Sequence, residues 1–264
     1  MPVKTVPVDD VALAYREYGS GHPVVLLNGL ASTMDTWNPP VLAQISEHFR
    51  VIIFDNRGTG YSSASDKPFS MSLLARDTAT LMGALGISSA HVLGLSMGAS
   101  VAQELALGFP GKVNKLILVA GECGGFESVL AQPEIIAQLT DKSGTMVDVV
   151  NRMFSLLFPP SWLAAHDPFD YCPEVYETTS DEIVARQVSA FFGWTGSFSR
   201  LGDIHSPTLV ITGMDDVIVP PVNSHILSGR IPAAQLVEIP GAGHGLMYQF
   251  PDRFSDCVLT FLDR

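Results

Sequence analysis

Short, mostly apolar runs recur along the chain: Pro23–Leu27, Val51–Phe54, His91–Leu95, Lys115–Val119, Thr208–Thr212 and Gln235–Ile239. A run that stays apolar without alternating suits a strand buried on both faces of a parallel sheet. Ahead of them, residues 4–19 read as two short strands turning at Asp9-Asp10, with Gly19-Ser20-Gly21 ending the hairpin. Helical periods fall between the runs. Thr36 is placed to cap a helix from Trp37 to about His48, with Pro39 and Pro40 in its first turn. Leu73, Leu74, Asp77, Leu81 and Leu85 mark a helix over Ser72–Leu85, which Gly86 ends. Ala99–Leu107, Pro221–Ile231 and Pro251–Leu262 complete the alternation. Short strands alternating with helices predict right-handed βαβ units, an α/β class and a mostly parallel sheet.

The alternation stops at Gly121 and returns at Thr208. Between them lie helical stretches at Phe126–Leu139, Gly144–Leu157, Ser161–His166 and Glu174–Phe192, punctuated by prolines 133, 159, 160, 168 and 173. This predicts a core domain of residues 1–123 and 203–264, with residues 124–202 inserted as a helical cap.

Composition narrows the class. With 264 residues, 47% hydrophobic and 16% charged, the chain can bury a sizeable core and disorder is not expected. A net charge of −12 repels phosphate backbones, so nucleic acid is not an expected partner. Cys123, Cys172 and Cys257 are odd in number and far apart, which suggests neither a disulfide framework nor a zinc site. The N-terminal residues lack the apolar segment of a signal peptide, and no run reaches the ~18 residues of a membrane span. A cytoplasmic protein off the membrane, monomer or homodimer, is expected.

The candidate chemistry sits at His91-Val92-Leu93-Gly94-Leu95-Ser96-Met97-Gly98. A buried strand, Gly-x-Ser-x-Gly and then a helix is the context of a nucleophile elbow, in which a sharp turn lifts Ser96 clear of the sheet. A serine hydroxyl needs a base to take its proton and a third group to orient that base. In a parallel sheet these groups belong in loops beyond the carboxyl ends of the strands. After Thr208–Thr212 comes Gly213-Met214-Asp215-Asp216, and after Gln235–Ile239 comes Gly241-Ala242-Gly243-His244. His244 is the histidine in a Gly-rich loop just past a late strand, whereas His22, His48 and His91 sit at element ends and read as surface or structural. Loop chemistry alone leaves the acid open between Asp215 and Asp216, since one of two adjacent aspartates usually caps a turn. Two backbone N–H groups must face the developing oxyanion. Met97, next after the nucleophile, is one candidate; Leu30, in the loop after Pro23–Leu27 where Gly29 permits close approach, is the other.

Together these segments resemble the α/β-hydrolase superfamily, in its capped esterase and lactonase-like branch, over nearly the whole chain. Asn28-Gly29-Leu30 is similar to the family's His-Gly oxyanion loop, with Asn28 where the family usually has His. Asp55-Asn56-Arg57-Gly58-Thr59-Gly60-Tyr61-Ser62 is similar to its Asp-x-Arg-Gly-x-Gly-x-Ser loop, where Arg57 is expected to tie the loop down. Gly213-Met214-Asp215-Asp216-Val217-Ile218-Val219-Pro220 is similar to its Gly-x-x-Asp-x-x-Val-Pro loop, and that alignment puts the acid on Asp216. The resemblance implies an eight-stranded, mostly parallel sheet flanked by helices and a Ser96–Asp216–His244 triad needing no cofactor or metal. The implied reaction is hydrolysis of small to medium apolar carboxylic esters through an acyl-enzyme. A serine nucleophile argues against the family's dehalogenases and epoxide hydrolases, which use a carboxylate there. The same motifs also occur in lactonases such as 3-oxoadipate enol-lactonase, C–C bond hydrolases, cofactor-free perhydrolases and non-catalytic ligand receptors.

Overall fold

In the computed structural model, which describes residues 1–263, the apolar runs become the strands of one sheet. They are β1 (Lys4–Val8), β2 (Val11–Tyr18), β3 (Pro23–Leu27), β4 (Arg50–Phe54), β5 (Ala90–Leu95), β6 (Val113–Val119), β7 (Thr208–Gly213) and β8 (Gln235–Ile239). Their order is β1-β2-β4-β3-β5-β6-β7-β8. The hairpin strand β2 runs antiparallel to β1 and β4, and every other pairing is parallel. From β3 the chain returns to β4 on one side; from β5 it returns to β6 on the other. The neighbours β3 and β5 therefore flank a topological switch point, where the connecting loops part and leave a crevice. Leu27 pairs with Gly94 at that end, so the loops after β3 and β5 emerge side by side.

The core helices are α1 (Pro39–Ser46), α2 (Met71–Ala84) and α3 (Met97–Gly108). Between β6 and β7 lie α4 (Pro133–Thr140), α5 (Met146–Leu157), α6 (Pro160–Leu163) and α7 (Asp181–Phe192), and after β7 come α8 (Val222–Arg230), α9 (Leu246–Gln249) and α10 (Pro251–Leu262). Apolar residues of α2, α3 and α8 pack on one face of the sheet, those of α1 and α10 on the other. No helix among the described residues is long and apolar enough to cross a membrane.

Several helix starts differ from the sequence pattern, each time for a local reason. Thr36 does not cap α1: it closes a short 3-10 turn, its hydroxyl donating to Thr33 O at 2.8 Å, and α1 begins at Pro39. Proline at the first helical position loses no helical hydrogen bond. The stretch from Phe126 opens with a single 3-10 turn over Gly125–Glu127 and becomes α-helical only at Pro133, which holds the preceding Gln132 out of the helical conformation; Phe126 is left fully exposed. The stretch from Glu174 becomes helical only at Asp181, where Ser180 Oγ accepts from Ile183 N–H. Thr145 and Asp148 form a reciprocal capping box that starts α5 at Met146. The short α9 was not anticipated.

Arg57 is wholly buried after β4 and is held by a bidentate pair to Asp77 of α2, at 2.5 and 2.7 Å, with Ser65 and Asp10 as further acceptors. It ties the loop after β4 to α2, as its position suggested. Asp77→Ala would leave that guanidinium buried without its main partner, a loss of about 3–5 kcal/mol. A thermal melt should show Tm lowered by roughly 10 °C; a change within a degree or two would mean that Asp10 and Ser65 suffice.

Candidate active site

The elbow leaves its central residue little choice of backbone. Ser96 has φ 56° and ψ −123°, a combination that costs a residue with a side chain and persists only when its surroundings enforce it. Three contacts enforce it. A Cβ on Gly94 would lie 2.3 Å from Gly98 O, and one on Gly98 would lie 2.2 Å from Leu27 O. The Ser96 N–H donates to Val119 O at 2.9 Å, fixing the elbow to the end of β6. The turn thus closes against both neighbouring strands, and Ser96 stands half-buried at their carboxyl edge.

Leu30 and Met97 flank it. A Cβ on Gly29 would sit 3.3 Å from Ser96 Cβ, so the loop after β3 lies directly against the elbow. Among the described residues neither the Leu30 nor the Met97 N–H meets an acceptor, which leaves both free for a ligand. Asn28, standing in the place of the usual histidine, braces this loop by donating from Nδ2 to Phe54 O at 3.2 Å.

The two aspartates separate cleanly. The Asp216 side chain is fully buried: Oδ1 accepts the Ile218 and Val219 N–H groups at 2.9 Å each, and Oδ2 meets His244 Nδ1 at 2.7 Å. Asp215 is exposed and its N–H donates to Ala242 O. The capping role and the imidazole contact therefore fall on one residue, through opposite oxygens of the same carboxylate. A carboxylate acceptor at Nδ1 favours the tautomer of a neutral imidazole that has its proton there and its lone pair on Nε2. No hydrogen bond joins Ser96 Oγ to His244 in this structure, so the histidine is brought to the acid but not yet to the serine. Catalytic hydrogen bonds commonly tighten only when substrate is present.

The His244 loop is braced from α9 and from the end of α5. Gly243 N–H donates to Gln249 Oε1 of α9 at 2.7 Å, and Gly245 N–H donates to Leu157 O at the end of α5 at 2.9 Å. Phe158 packs against Gly245 and stacks on Trp162, with ring centroids 4.6 Å apart. Phe192, by contrast, is exposed and belongs to no core. A recess of about 510 Å³ lies between the α5–α6 turn and the acid loop, lined by Leu156, Phe158, Pro159, Met214, Asp215 and Asp216. Ser96 and His244 do not line it.

Glu122, just beyond β6, is a further unanticipated group. It is buried, and its carboxyl finds no hydrogen-bond partner among the described residues. Burial pushes it up to about 7 from the ordinary 4.5. Between those values the folded chain holds a proton that the unfolded chain has released, so this contribution is complete below pH 4.5 and lost as pH rises through 7. Asp55, pushed up to about 6 by burial although it accepts the Met34 and Tyr61 N–H groups, acts in the same sense. Glu122→Gln keeps the shape without the charge. It should stabilise the fold at pH 8 by on the order of 3 kcal/mol and change little at pH 4. Denaturant titrations at the two pH values check this; equal gains at both would assign the effect to packing.

Residues 24–256 match a family model described as the alpha/beta hydrolase family. A protein described as a candidate carbamate hydrolase, RutD of Azorhizobium caulinodans, is 30% identical over 96% of this chain and 95% of its own length. A hydrolase from Pseudomonas aeruginosa superposes with a TM-score of 0.84 at 29% identity, over 99% of this chain and 98% of its own. An enol-lactonase from Burkholderia xenovorans superposes with a TM-score of 0.83 at 26% identity, over 99% of this chain and all of its own.

Proposed function

We propose that this chain, which belongs to the alpha/beta hydrolase family, is a serine hydrolase cleaving carboxylic esters of small to medium apolar acyl groups. The observation that carries the reading is the His244–Asp216 contact at 2.7 Å, in a chain whose strained elbow presents Ser96. Asp216 fixes the imidazole tautomer, so Nε2 is the basic nitrogen. Ser96 Oγ attacks the ester carbonyl carbon while His244 Nε2 takes the hydroxyl proton. The carbonyl oxygen becomes an oxyanion that accepts from the Leu30 and Met97 N–H groups and is further stabilised by the positive end of the α3 dipole. His244 then returns the proton to the leaving alcohol as the C–O bond breaks. Water, deprotonated by His244, repeats the attack on the acyl-enzyme and frees the acid.

In this reading residues 124–202 form a lid whose inner face borders the acyl site. Support comes from Leu157 and Phe158, which contact the His244 loop, and from the recess that Leu156 and Phe158 share with the acid loop. A lid there excludes water from the oxyanion and the acyl chain. A second reading, hydrolysis of a carbamate or a lactone by the same groups, is favoured by the named activities of the RutD relative and the enol-lactonase. Both substrates present a carbonyl to the same nucleophile; a lactone keeps its leaving oxygen tethered to the acyl part, and a carbamate carries nitrogen on the carbonyl carbon.

Ser96→Ala should lower kcat on p-nitrophenyl butyrate by on the order of 10⁴–10⁶ with the melt unchanged. Asp216→Asn should be far more damaging than Asp215→Asn, because only Asp216 meets His244. Parent-like turnover by Ser96→Ala in contaminant-free protein, or the reverse ranking of the aspartates, would refute the assignment. Ranking kcat/KM for p-nitrophenyl acetate, butyrate and octanoate against an enol-lactone and a carbamate ester separates the two readings. Highest values on a short or medium ester are expected; preference for the lactone or the carbamate would replace the ester reading.

A further inference from the structure

The loop carrying Leu30 is held from the inserted segment. Ala31 follows Leu30 in a left-handed conformation, φ 62°, which a residue with a Cβ adopts only under constraint. Its N–H donates to Gln187 Oε1 of α7 at 2.8 Å, and its carbonyl accepts from Thr179 Oγ1 at 2.9 Å. Upstream, Asn28 is fixed to Phe54 O. The Leu30 N–H therefore lies between two anchors, one in the core and one supplied by residues 179–187. The segment leading to Thr179 is itself tied down: Tyr176 N–H donates to Asp35 Oδ2 at 3.2 Å, and Arg16 pairs with Asp35 Oδ1 at 2.5 Å.

Gln187 is a costly way to fill its place. It lies on the buried face of α7 with Ile183 and Ala190 and has no exposure at all. The Ala31 N–H requires an acceptor, which turns the amide so that Oε1 meets Ala31 and Nε2 is left buried without a partner. An unpaired buried amide N–H destabilises a fold, and a methionine would occupy similar space without that cost. Packing therefore does not account for an amide here, whereas an acceptor for Ala31 does.

We propose that Gln187, assisted by Thr179, is a positioning residue that sets the oxyanion donor of Leu30 by clamping the peptide groups on either side of Ala31. Two hydrogen bonds to adjacent peptide groups fix the conformation at Ala31 and the ψ of Leu30, and with Asn28 anchored they aim the Leu30 N–H. The inserted segment then does more than cover the site: it completes the geometry of one of its two donors. A donor displaced by about 1 Å loses much of its hold on the transition state while ground-state binding changes little. This inference rests on the reading of Ser96 as the nucleophile.

The test compares Gln187→Met, which keeps length and volume but removes the acceptor, with Gln187→Glu, which keeps an acceptor oxygen in either protonation state. Thr179→Val and Ser96→Ala are measured beside them, all on p-nitrophenyl butyrate, with thermal melts. Gln187→Met should lose roughly tenfold or more in kcat with KM within about threefold, and Gln187→Glu should stay within about threefold of the parent. Thr179→Val should show a smaller loss, also confined to kcat. A folded Gln187→Met with parental kcat, a Gln187→Glu as impaired as Gln187→Met, or a loss confined to KM would overturn the clamp. If Gln187→Met does not fold, parental kcat in Thr179→Val overturns it. An inactive Ser96→Ala beside a parent-like Gln187→Met would fail the clamp alone; an active Ser96→Ala would fail the nucleophile and the clamp together.

Discussion

At the carboxyl ends of β3 and β5 there is no room for a side chain between backbones. Gly98 lies so close to Leu27 O, and Gly94 to Gly98 O, that a methyl group at either position would overlap a carbonyl oxygen. Interiors this dense do not deform continuously, so the approach is available only to glycine. It forces the chain to turn at Ser96 with a strained backbone, and it seats the first turn of α3 against the loop after β3. The serine hydroxyl, the Met97 N–H and the loop bearing Leu30 meet at one edge because of this contact. The parallel pairing of β3 with β5 in turn depends on the sheet order that makes this edge a switch point.

The remaining loops are fastened to that edge by polar groups. Asp216 uses one oxygen to hold its own turn and the other to hold His244, so acid and imidazole cannot move independently. Gln249 and Leu157 O hold the glycines on either side of His244, while Asn28 and Gln187 hold the loop of Leu30. Two of these four anchors, Leu157 and Gln187, belong to the segment between β6 and β7. That segment buries little of itself: α4 has no buried residue, and Phe126, Met146, Val147 and Phe169 face solvent. It is held by an aromatic cluster of Phe154, Phe158, Trp162, Phe169 and Tyr171, by Ile183 and Ala190 packed into the core, and by these specific bonds. Opening such a segment would take site geometry with it.

Charge is treated differently inside and outside the fold. The chain is acidic overall, yet Arg57, fully buried, is neutralised by a bidentate aspartate and serves to pin a loop. Glu122 and Asp55 are buried near the carboxyl edge of the sheet without a matching cation, and burial pushes both upward, to about 7 and about 6. Acid therefore favours these two groups in the folded chain, opposite in sign to the common case of salt-bridged carboxylates.

How much of this could be read from residues alone divides by range. Buried parallel strands, the hairpin and the elbow are written in short stretches of chain. Continuous apolar runs, period-3.6 helices and glycines around a serine act over a few residues, and their physics does not depend on what lies elsewhere. Ser96, His244 and the candidate donors Leu30 and Met97 could be named for the same reason, each lying in or beside a loop just past an apolar run, whereas Asp216 is singled out only by the resemblance of its loop to the family's Gly-x-x-Asp-x-x-Val-Pro pattern. Starts of helices were less legible, because proline sterics at Pro39 and Pro133 and a capping hydrogen bond at Ser180 override the periodic pattern. The choice between Asp215 and Asp216 could not follow from chemistry, since both are aspartates in one turn; only the folded path of the His244 loop buries one and exposes the other. Likewise nothing local tells Gln187 from any other glutamine on a helix. Its partner, Ala31, is distant in sequence, and only tertiary structure brings a left-handed peptide and a buried amide within 2.8 Å. Sequence specifies what each short segment will become; the packing of segments far apart decides which of its polar groups find one another.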